Sequence, residues 1–166
     1  MVGLKIWPKG SRGYSPRKAV QELADAISLW VKMLPAAISS SPLKELDEIV
    51  ESSRTILDLQ HDWDGEGASP IAESTWRRAV EFLRGTASTL WTRHNLRMEG
   101  PSLVPLADGS IDLHWKLSNR ELLVNIPATG KEWASYYGDN RLGGNTVEGK
   151  LNTEAPNHWL FVWLTE

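Results

Sequence analysis

The chain has 166 residues, 41% apolar and 23% charged, with 18 basic against 21 acidic side chains. That balance excludes disorder as the main state, since a chain this long buries about two-thirds of its unfolded surface. The lack of cysteine excludes disulfides, thiolate zinc sites, iron–sulfur clusters and a thiol nucleophile. The apolar runs are too short to span a bilayer, and the N-terminus has no apolar signal core. The expectation is a cytoplasmic protein with no membrane contact. Nine tryptophans are the compositional oddity, and such side chains anchor cores or interfaces.

Residues 1–14 read as an irregular basic arm. Lys5, Lys9, Arg12, Arg17 and Lys18 carry charge there, and residues 1–18 hold no acid. The remainder, 15–166, reads as a single domain with a helical part, 15–98, and a sheet part, 101–166. Ser-Pro pairs recur at Ser15-Pro16, Ser41-Pro42 and Ser69-Pro70. Serine caps helix N-termini, and proline suits the first helical position. A helix-period apolar stripe follows each pair, which predicts helices over 16–34, 42–60 and 70–95.

The pattern changes after Gly100. Leu103, Val104 and Leu106 form a short run, and Asp108-Gly109 is a two-residue hairpin signal. Ile111, Leu113, Trp115 and Leu117 then alternate with Asp112, His114 and Lys116, which is strand periodicity. Leu122, Val124 and Ile126 alternate again after the Ser118-Asn119 turn. Residues 127–130 read as a turn, 133–137 as a fourth strand, 138–145 as a glycine-rich loop and 147–151 as an edge strand. The C-terminal run 159–164 is apolar on both faces, as a central strand or a buried helical turn would be, and its aromatic and β-branched content favours the strand. The architecture expected is α+β: about three N-terminal helices packed on a C-terminal antiparallel sheet of four to six strands.

The segment 61–73 is the most unusual chemically. Counted as a calcium loop, Asp62, Asp64 and Glu66 take positions one, three and five, Gly67 takes six, and Glu73 takes twelve. Ser69 stands where that motif wants an aliphatic residue, and Pro70 interrupts it. The plainer reading is an acidic connector hinged at Gly65 and Gly67, with Trp63 plugging the core near Trp76 and Trp115. His61 beside Asp62 and Asp64 is a candidate metal or acid–base cluster. His114, with Asp112 and Lys116 beside it and Glu121 and Asn125 on the next strand, is a candidate general base. His94 falls near the end of the third helix, where it suits the dipole. None of the four histidines is spaced from another as a metal pair, and no nucleophile elbow or phosphate loop is present. No cofactor is implied.

Trp63-Asp64-Gly65-Glu66-Gly67-Ala68-Ser69-Pro70, a helix, then Val104-Pro105-Leu106-Ala107-Asp108-Gly109 and an alternating strand with Trp115 resemble a group of small uncharacterised bacterial proteins. Its members share a W-D-G-x-G-A-x-P turn, a helix and a P-x-x-D-G hairpin, and the likeness covers about residues 55–130. The resemblance implies a fold and a bacterial source, with no activity or catalytic residue attached. Its turn does not need an acid where Glu66 stands, which sets the calcium reading back.

The function expected is therefore non-enzymatic: an accessory or regulatory protein of a bacterial cytosolic system that binds another protein. The alternatives are a small metal-dependent enzyme or calcium-binding protein using the 61–73 turn, and nucleic-acid binding through the basic arm. The balanced charge elsewhere argues against the last.

Overall fold

The structure, a computed structural model, describes residues 42–155 and 157–165, together with Gln21 and Asp25. The chain divides into two compact units, 1–40 and 41–166, and every element below belongs to the second. The basic arm, with Lys5, Lys9, Arg12, Arg17 and Lys18, lies outside the described residues. So does the predicted helix 16–34, apart from Gln21 and Asp25, which are helical and joined by a 2.9 Å side-chain hydrogen bond.

Helix α1 spans Pro42–Ser53 and tightens into a 3-10 turn over Arg54–Asp58. Leu46 and Val50 bury its inner stripe at helical spacing. Helix α2 spans Glu73–His94 and buries Trp76, Ala79, Val80, Leu83, Ala87 and Leu90. It closes on Asn95, whose left-handed backbone (φ 51°) lets its N–H reach the Trp91 carbonyl. The two helices are joined inside the core, where the Trp76 indole N–H donates to the buried Ser53 hydroxyl at 2.9 Å.

Five antiparallel strands follow as a meander in the order β1-β2-β3-β4-β5. They are β1 Ser102–Pro105, β2 Ile111–Lys116, β3 Arg120–Ile126, β4 Ala134–Asn140 and β5 Asn145–Leu151. A last helix, α3, spans His158–Thr165. The α+β class holds: helices and a five-stranded antiparallel sheet. Ile111, Leu113, Trp115, Leu122, Val124 and Ile126 alternate onto the inner face, each 0–1% exposed. Phe161 of α3 packs between Phe82 of α2 and Trp115 of β2, with ring centroids 5.8 and 5.4 Å away.

Four local expectations are corrected. The second described helix starts at Glu73, not at Ser69-Pro70. Ser69 spends its N–H on the Ala107 carbonyl at 2.7 Å, so this stretch docks on the β1–β2 connection with Ala68 and Ile71 buried. The Asp108-Gly109 turn is a three-residue loop: Leu106 N–H bonds the Ser110 carbonyl, and only Gly109 has positive φ, 84°. The expected glycine-rich loop 138–145 shrinks to a turn over 141–144, because Gly138 continues β4 to Asn140 and β5 begins at Asn145. A Cβ at Gly138 would lie 2.8 Å from the Trp163 ring, so the glycine marks a close approach of α3. Residues 159–164 are helical, not a central strand. Leu160, Phe161 and Leu164 are buried at i, i+1, i+4 spacing, while Trp159 is half exposed.

Candidate functional site

The acidic turn folds onto itself. The Asp62 carboxylate accepts the Gly67 N–H at 2.7 Å, and one Asp64 oxygen accepts the N–H groups of Glu66 and Ala68 at 2.9 and 3.1 Å. Those amides hold the Asp64 carboxyl below its usual range. Asp62 N–H and the Ala68 carbonyl close the neck of the loop at 2.8 Å. Asp62 itself takes φ 64°, a conformation aspartate tolerates better than most residues. The carboxylates thus serve backbone amides rather than a shared centre. Glu73 sits on α2 and pairs with Arg77 at 2.9 Å, and His61 is exposed. Among the described residues, no group of three or more His, Asp or Glu side chains could hold a metal ion. The structure therefore does not gather Asp62, Asp64, Glu66 and Glu73 into a metal site. Trp63 is half-buried and donates its indole N–H to the Ser69 carbonyl at 3.1 Å. It braces the turn and stands outside the core that holds Trp76 and Trp115.

The outer face of the sheet brings two polar groups together. His114 on β2 lies opposite Leu123, two residues along β3 from Glu121 and on the same face, and its Nε2 is 2.5 Å from Glu121 Oε1. Arg141, in the β4–β5 turn, pairs with the other Glu121 oxygen. Arg141 first, then His114, hold the Glu121 carboxyl down at about 2. The alternation of β2 and β3 made the His114–Glu121 meeting legible in the sequence. Arg141 was missed, because only the length of β4 brings its turn back over β3. In the second group, Asn125 donates to Asp112 at 2.8 Å and to the buried Ser110 hydroxyl at 3.0 Å. Ser110 in turn donates to Asp108, keeping that carboxyl below its usual range. Asp108 and Gly109 thus shape a turn, as the motif suggested.

The third feature is the β4–β5 hairpin. β5 is paired with β4 along its whole length, and among the described residues no strand pairs with its other edge. Five of its seven residues are exposed. Large apolar side chains run along the hairpin: Trp133 is 63% exposed, Tyr137 47% and Leu142 83%. Trp159 of α3, 49% exposed, meets Tyr136 edge-on at 6.1 Å. Elsewhere, the His94 and His158 rings lie 6.0 Å apart between the end of α2 and the start of α3, a meeting that sequence spacing could not reveal. No described helix is long and apolar enough to cross a membrane. Compared with family models, curated proteins and solved structures, the chain matches none.

Proposed function

We propose that this is a non-enzymatic accessory or regulatory protein of a bacterial cytosolic system, and that it works by binding another protein through the β4–β5 hairpin. The observation that carries the reading is the hairpin itself: a strand edge that no described strand pairs with, flanked by exposed Trp133, Tyr137 and Leu142. An open edge offers backbone donors and acceptors to an incoming strand, and exposed aromatics anchor interfaces. The test is affinity capture from the native host with the wild type and with a Trp133→Ser, Tyr137→Ser double variant. Both positions are exposed, so the variant should keep the wild-type circular dichroism. A defined partner lost with the variant supports the reading. A partner held equally by both proteins moves the docking surface away from the hairpin.

A second reading follows from the 2.5 Å His114–Glu121 contact. A carboxylate-oriented histidine on an open sheet face is a general-base arrangement. His114→Ala abolishing a hydrolytic activity of the purified protein would favour it. The metal and calcium reading has no gathered ligand set to support it, and the nucleic-acid reading rests on the arm alone.

A further inference from the structure

We infer that the edge of β5 facing away from β4 pairs with the β5 of a second copy, antiparallel and centred on Gly149, joining the two sheets into one. This deepens the protein-binding reading and rests on it for the choice of the hairpin as the docking element. The argument comes from register. Two antiparallel strands related by a two-fold axis through the sheet keep their faces, so residues of like parity stand opposite each other. On β5 the even positions, Thr146, Glu148 and Lys150, share the face of Tyr137, which pairs with Glu148. The odd positions share the helix-covered face with Tyr136, which pairs with Gly149.

Charge then selects one register. An axis at Glu148 sets two carboxylates against each other, and an axis at Lys150 sets two ammonium groups against each other. An axis at Val147 leaves Glu148 facing Thr146. An axis at Gly149 puts Glu148 opposite Lys150 twice and Val147 opposite Leu151 twice. Opposite charges directly across a ladder attract, and like charges repel. The inner face fits the same axis. A Cβ at Gly149 would stand 2.7 Å from the Tyr136 hydroxyl, so the tyrosine ring reaches over β5 at that row. Pairing there sets the two Tyr136 hydroxyls face to face beside Trp159, which is half exposed in the single chain. Glu148, Gly149 and Lys150 are exposed, and among the described residues no strand occupies the edge.

The experiment is sedimentation velocity across a wide concentration range on the full chain and three variants: Glu148→Lys, Lys150→Glu and the two together. The wild type should form a species of twice the 18.6 kDa chain mass. Each single substitution replaces both attractive pairs with like-charge pairs and should raise the monomer–dimer midpoint by about tenfold or more. The double substitution restores opposite charges and should return the midpoint to near the wild-type value. A wild type that stays monomeric overturns the inference, as does a dimer indifferent to the single substitutions or not rescued by the double one. Host capture on the same samples separates the two claims. A monomer that still binds a host protein through the hairpin removes self-pairing and leaves the protein-binding reading intact.

Discussion

The two faces of the sheet are built from the same strands by opposite rules. On the inner face, Ile111, Leu113, Trp115, Leu122, Val124 and Ile126 are sealed under α2 and α3. On the outer face, Asp112, His114, Glu121 and Asn125 remain partly exposed and pair with one another across the strands. The alternation that drives one set inward places the other set in register outside. Apolar burial is therefore concentrated on the inner face, while the outer face keeps polar side chains partly exposed and five of the seven β5 residues are exposed.

The largest test of that contrast is Trp115→Ala. Trp115 is 1% exposed, lies against Phe161, and donates its indole N–H to the Glu99 carbonyl at 2.8 Å. Its truncation should cost about 3–5 kcal/mol, read from urea melts. Tyr137→Ala on the outer face should stay within about 0.5 kcal/mol of the wild type. Equal losses at the two positions would break the division between the faces. Next in size is Ser53→Ala, which leaves the buried Trp76 N–H without its acceptor. An orphaned buried donor costs about 1–3 kcal/mol. A melt unchanged by Ser53→Ala would mean that the link between α1 and α2 is carried by apolar packing alone.

What was legible in the sequence follows the same contrast. Where one face is buried and the other wet, as along 111–117 and 122–126, period-two alternation announced the strand and its sidedness. The Trp76–Leu90 stripe announced α2 in the same way. Where the sequence is apolar all round, periodicity failed. Trp159–Leu164 looked like a buried strand, since an apolar run of that length is ambiguous between strand and helix. Gly138 read as loop because glycine usually breaks strands, yet here it admits the Trp163 ring. The carboxylates of the 61–70 turn suggest a ligand set in the sequence, yet those of Asp62 and Asp64 accept the loop's own amides.

That turn supplies the third prediction. A plug in the core would make Trp63→Ala as costly as Trp115→Ala. The half-buried ring loses one hydrogen bond and part of an apolar contact, so about 1–2 kcal/mol is expected. Calcium should leave the melting temperature unmoved, since the carboxylates already face amides. A rise in melting temperature with calcium would restore the metal reading.

The smallest expected effect is the acid titration of Glu121, and it sharpens the outer face most directly. Its carboxyl titrates at about 2 in the folded protein, against 4.5 ordinarily, because Arg141 and His114 favour the charged form. A depressed carboxylate stabilises the fold above its unfolded value, and that contribution is lost as pH falls through the folded one. The window therefore runs from about 4.5 down to about 2. The group lies at the surface, where water and salt screen it, so the gain is small. Stability against pH should fall more steeply in the wild type than in Glu121→Gln across that window. The difference should shrink in high salt, and Arg141→Ala should remove most of it, since Arg141 contributes the largest share. If Arg141→Ala leaves the acid limb unchanged while His114→Ala flattens it, the histidine is the dominant partner. The outer face would then be organised around His114, as the general-base reading requires.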